Sequence, residues 1–159
     1  MLDKNNAKSS PVVTVVPLTS VKPHTDTTNL KNGSIFLGNE LFTNLNSKIS
    51  MVDRKVKSEI DELEKLVADA SKKASSEHFS TIDTKLGTAR KELELLAKMR
   101  AEVLKMKHGS IALVSQITTV SKIRIYDPQT DHDILSGIKL SNEKLDLIDY
   151  EIRKSFTNF

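Results

Sequence analysis

Two apolar series at helical spacing constrain this chain more than any other feature in it. The first runs Ile49, Val52, Val56, Ile60, Leu63, Val67, Ala70 and Ala74, in steps of three and four residues. The second runs Ile82, Leu86, Ala89, Leu93, Leu96, Val103 and Met106 with the same rhythm. Such steps place one narrow apolar stripe along each of two helices, the pattern of a coiled-coil seam. Ser75-Ser76-Glu77-His78-Phe79-Ser80 interrupts them, and Ser80 or Thr81 can cap the second helix. Two seams of similar length joined by a short break predict an antiparallel helical hairpin over residues 47–108. Each arm has roughly 28 residues and would extend about 42 Å at the helical rise. A stripe this narrow leaves little to bury elsewhere, so the arms are expected to pack on each other and project from a second body.

That second body should be built from the flanks. Pro11-Val-Val-Thr-Val-Val-Pro17 is β-branched and predicts a strand, with its run of valines implying burial on both faces. Residues 19–31 read as a loop. Asn32-Gly33 signals a turn ahead of the apolar run Ile35-Phe36-Leu37. Ser110 to Thr119 is a further strand candidate. After Gly137, Ser141 is placed to cap a last helix with Glu143 in its first turn. Leu145, Ile148, Ile152 and Phe156 form the stripe of that helix, expected to pack on the sheet. The expected domain layout is therefore 1–46, first part of a β domain; 47–108, the inserted hairpin; and 109–159, second part of the β domain with its helix. The fold class is α+β.

Composition limits the chemistry. The chain has 159 residues, enough for one domain's core, and no cysteine, which removes thiolate metal ligands, disulfides and cysteine nucleophiles. Lys and Arg exceed Asp and Glu by 24 to 21, and the surplus of +3 falls on the predicted hairpin. That permits nucleic-acid contact without requiring it. A solvated helix face laced with i,i+4 pairs is the simpler account of it. His24, His78, His108 and His132 share no ligand spacing, and the sequence holds neither a glycine-rich phosphate loop nor a G-x-S-x-G elbow. No metal or cofactor is expected. No apolar run reaches the ~18 residues of a membrane span and no signal-like segment opens the chain, so a cytoplasmic location is expected.

Two clusters at predicted strand ends carry hydroxyls, an amide and cations: Pro17-Leu18-Thr19-Ser20, and Ser115-Gln116-Ile117-Thr118-Thr119-Val120-Ser121-Lys122-Ile123-Arg124. By spacing alone they are ordinary strand ends. Together they resemble the MazF/PemK family of toxins from toxin–antitoxin systems. Pro11 to Ser20 is similar to that family's strand ending in (I/L)TS. Ala112 to Arg124 is similar to its QI(R/S)T(I/V)(S/D)K.R strand and turn, and Leu135 to Asp149 to its closing strand and helix. The likeness spans roughly residues 8–42 and 109–156, and the hairpin resembles an insert found in a subset of PemK-like proteins.

The resemblance implies a small SH3-like barrel with a C-terminal helix, working as a homodimer, with a cognate antitoxin as partner. It implies a metal-independent endoribonuclease, an mRNA interferase that cuts single-stranded RNA, with operator DNA reached through the antitoxin complex. Attack by a ribose 2′-hydroxyl needs a proton acceptor, a proton donor to the leaving oxygen and a cation at the crowded phosphate. By resemblance Thr19, with Ser20 beside it, is the catalytic hydroxyl, while Gln116, Thr118, Lys122 and Arg124 bind RNA. Residue 118 is Thr where many active members carry Arg. No arginine precedes Arg54, and nothing matches the family's arginine-bearing loop. The chain therefore reads as N-terminally truncated, with a partial barrel, an unpartnered edge at Val12–Val16 and impaired cleavage. Two other readings compete: a non-catalytic module binding antitoxin or nucleic acid, and a coiled-coil adaptor whose assembly depends on Leu63 and Leu93.

Overall fold

The computed structural model describes residues 10–71, 76–121 and 132–157. Among them the chain is α+β. It contains strands β1 (Val12–Val15), β2 (Leu18–Ser20), β3 (Ser34–Gly38), β4 (Ser110–Leu113) and β5 (Thr118–Ser121). Its helices are α1 (Glu40–Ala70), α2 (Ser76–Leu104) and α3 (Asn142–Thr157), and a 3-10 turn covers Val114–Gln116. The described residues fall into two compact units. One comprises 10–44, 104–121 and 137–157; the other comprises 45–71, 76–103 and 132–136.

The first unit holds two small antiparallel sheets, β1–β5 and β2–β4–β3, and the described strands do not close into a barrel. Both sheets are made by one ribbon, residues 12–20 running against 110–121. Val12 to Val15 pair with Ser121 to Thr118, and Leu18 to Ser20 pair with Ala112 to Ser110. Between the two paired stretches one side spends only Val16 and Pro17, while the other spends Leu113 to Ile117. The 3-10 turn absorbs the surplus. Pro17 cannot donate to a ladder, and its carbonyl accepts from the Leu113 amide at 2.9 Å, so the ribbon changes register where a proline already interrupts it.

Both predicted long strands are thereby corrected: Pro11–Pro17 stops at Val15, and Ser110–Thr119 is cut in two by the turn at Val114–Gln116. Val12–Val15, expected to lack a partner or to find one in another chain, pair instead with β5 of the same chain, while Val16 lies beyond the pairing. Nor is β1 buried on both faces: Val12 is 43% exposed and Val13 to Val15 are half-buried. Thr19 and Ser20 belong to a strand rather than to the loop predicted from 19 onward. The Asn32-Gly33 turn and the strand through Ile35-Phe36-Leu37 are present, with Gly33 at φ +77 and Leu37 fully buried.

The second unit is helical. Leu45, Ile49, Val52, Val56, Ile60 and Leu63 are the buried positions of α1, and Leu86, Ala89 and Leu96 are buried on α2. All but Leu45 belong to the predicted stripes, of which Val67, Ala70, Ile82, Leu93, Val103 and Met106 are only half-buried and Ala74 lies outside the described residues. The boundaries differ from expectation: α1 starts at Glu40 rather than near 47, and α2 starts at Ser76, which places Ser80 and Thr81 inside the helix and not at its cap. Glu40 explains the early start. Its carboxylate sits in the first turn, where the helix dipole favours a negative charge. It also accepts from the Ser141 amide (2.6 Å) and hydroxyl (3.0 Å), tying the start of α1 to the start of α3 within the first unit. Ser141 thus stands just before α3, as expected, but its hydroxyl serves Glu40. Across the helical unit, the Arg90 guanidinium donates to Glu64 at 2.9 Å. The segment 132–136, expected to belong to the β domain, lies with the helices instead.

Candidate functional site

The ribbon places four of the six residues singled out in the sequence. Thr19 and Ser20 lie on β2 opposite Ile111 and Ser110, and both are exposed. Gln116 ends the 3-10 turn and Thr118 opens β5 opposite Val15; both are exposed as well. All four therefore sit on the ribbon that changes register at Pro17, two on each side of it. Lys122 and Arg124 lie outside the described residues.

Local sequence explains this exposure. β2 has only three residues, and Pro17 holds its entry, so its partner strand covers it on one edge only. Gly33 lets the 3-10 turn approach. An added Cβ at Gly33 would stand 2.8 Å from the Ser115 Cβ, and the Ser115 amide donates to the Gly33 carbonyl at 3.1 Å. Gly109, at φ +108, introduces β4, and its carbonyl accepts from the Val21 amide at 2.9 Å where β2 ends. The two glycines thus hold both ends of β4 in close contact with neighbouring backbone.

Beside the ribbon, α3 borders an apolar groove of about 480 Å³. Val16 and Ile117 contribute its ribbon side, and these residues directly precede Pro17 and follow Gln116. Leu145, Ile148 and Ile152 contribute its helix side, with Asp146, Asp149 and Arg153 at the rim. The Arg153 guanidinium lies 3.9 Å from Asp149. The helix meets β3 and the 3-10 turn, as expected, but its stripe is only partly covered: Ile148 and Ile152 are half-buried, Leu145 and Phe156 are exposed, and Tyr150 is 67% exposed. Sequence reasoning missed the groove and its rim. The signal available was the alternation of Asp146, Asp149 and Arg153 with the stripe residues, which puts charge beside apolar surface on one helix face.

A second polar cluster lies in the helical unit. Glu92 is 6% exposed and its Oε1 is 2.7 Å from Nδ1 of His132. Among the described residues no group of three His, Cys, Asp or Glu side chains could hold a metal ion, and no helix is long and apolar enough to cross a membrane. No family model, curated protein or solved structure matches the chain.

Proposed function

We propose that this chain is a MazF/PemK-like toxin component whose ribbon surface engages single-stranded RNA. The observation that carries the reading is that the two segments bearing the resemblance, Pro11 to Ser20 and Ala112 to Ser121, pair with each other and leave Thr19, Ser20, Gln116 and Thr118 exposed. On this reading the ribbon is part of an SH3-like barrel, and α1 with α2 forms an inserted antiparallel coiled-coil hairpin. Thr19 and Ser20 are the hydroxyls next to the scissile phosphate, and Gln116, Thr118, Lys122 and Arg124 hold the strand. The protein acts without metal, as a homodimer in the cytoplasm, and is neutralised by a cognate antitoxin that also brings it to operator DNA.

Cleavage by this chain alone is impaired. In-line attack crowds negative charge onto the phosphate, and no segment of this sequence matches the arginine-bearing loop that the resembled family uses to neutralise it. The test is fluorescence anisotropy with labelled single-stranded RNA at two salt concentrations, together with a cleavage assay in EDTA. Expected are salt-sensitive binding, a several-fold loss of affinity in Gln116→Ala, and no cleavage. Cleavage in EDTA would overturn the impairment, and absence of RNA binding would overturn the ribonucleic reading.

The exposed stripe of α3 favours a second reading, a non-catalytic module that binds its antitoxin or nucleic acid. Retention of a co-expressed antitoxin by a chain that ignores RNA would favour it.

A further inference from the structure

Glu92 is the sole buried ionisable side chain among the described residues, and it sits in a helix whose other buried positions are apolar. A buried carboxylate needs a partner, because leaving it unpaired away from water is strongly destabilising. The partner comes from far along the chain. His132, 40 residues on, brings Nδ1 to 2.7 Å from Oε1 of Glu92. Two residues later Ile134 is fully buried, at 0% exposure. Between them Asp133 folds the segment into a tight turn, its Oδ1 accepting from the amides of Leu135 and Ser136, both at 3.1 Å. His132 also borders two clefts. One is shared with Glu59, Lys85 and Glu92; the other is shared with Lys48 and Lys55 of α1 and with Asp133 of the segment itself. The segment 132–136 therefore reaches both long helices.

We infer that residues 132–136 form a releasable strap on the helical unit, latched by the Glu92–His132 pair and keeping position 134 covered. The pair is what makes the strap releasable. A well-packed apolar pair at 92 and 132 would gain from staying covered, whereas Glu92 and His132 are both solvated when the strap lifts. The desolvation of the pair offsets much of its attraction, so the pair holds the strap less firmly than an apolar contact of the same size would. Each helix keeps its own backbone hydrogen bonds in either state, so opening the strap does not melt α1 or α2. Other charges facing the latch are Glu59 and Lys85 on one side and Lys48, Lys55 and Asp133 on the other.

The chain has no cysteine, so Ile134→Cys introduces a single thiol reporter. The test is its labelling rate with a thiol reagent in the full chain, followed alongside far-UV circular dichroism. Expected is slow labelling in Ile134→Cys, acceleration of about tenfold or more on adding Glu92→Ala, and a smaller acceleration with Glu92→Gln, which keeps shape and a hydrogen-bond partner. Adding Glu92→Met together with His132→Leu should slow labelling below that of Ile134→Cys alone. Helicity should be the same in all four. Unchanged labelling in the Glu92→Ala background would overturn the proposal. Acceleration accompanied by loss of helicity would overturn it too, because the strap would then be an inseparable part of the helical core.

Discussion

Gly109 shows how much one residue can decide. Its φ of +108 is costly for any residue with a side chain, and an added Cβ would stand 2.6 Å from the Phe36 ring and 2.9 Å from the Gly38 carbonyl oxygen. Gly38 has φ +71 but open space where its Cβ would go. Gly109→Ala should therefore cost roughly 1–3 kcal/mol and clearly more than Gly38→Ala, with chemical denaturation as the measurement. Ser110 makes the opposite case. Its hydroxyl is buried and has no hydrogen-bond partner among the described residues, so Ser110→Ala should leave the melting temperature unchanged or raise it. Asp26 gives a pH signature. The Thr28 hydroxyl (2.6 Å) and amide (2.9 Å) donate to its carboxylate and hold it below the ordinary carboxylate range. Since the folded value is the lower one, this turn's contribution is present above the unfolded value and is lost as pH falls through the folded one. A carbon-detected titration of Asp26, with the Thr28 amide moving at the same midpoint, checks this.

At the scale of elements, the long helices were legible because their signal is local and repeated. After Leu45, the five other buried positions of α1 fall on the first series, and Leu86, Ala89 and Leu96 fall on the second. Leu96 is 1% exposed and Leu66 is 52% exposed on neighbouring stretches of the same pair. Leu96→Ala should cost about 2–5 kcal/mol and Leu66→Ala under about 0.5 kcal/mol in urea titrations. Helix ends were less legible. The start of α1 at Glu40 depends on Ser141, and no pattern near residue 40 announces a partner that distant. The strands were misjudged in length for a related reason: β-branched composition extends through Val16 and Ile117, while pairing stops where Pro17 and the 3-10 turn change the register. The stripe of α3 was legible as a stripe, but its burial was not, because burial depends on what the β sheets leave uncovered.

For the whole molecule, the site residues divide in the same manner. Thr19, Ser20, Gln116 and Thr118 were chosen on a resemblance between separated stretches, and strand pairing puts them on one ribbon. The groove bordered by Val16, Ile117 and α3, and the strap that carries His132 to Glu92, had no comparable signature. If the β unit mediates the proposed homodimer, sedimentation should show assembly surviving Leu93→Asn. Loss of assembly in that variant would favour the coiled-coil adaptor. Sequence alone determined the helical spacing, the turn at Gly33, the absence of thiol chemistry and the placement of charge, since each rests on neighbours a few residues apart or on composition. Tertiary structure decided the ribbon's change of register, the tie between Glu40 and Ser141, the exposure of α3 and the burial of Glu92. Each of these depends on groups tens of residues apart, whose meeting is selected by the free energy of the whole packed chain rather than by any local preference.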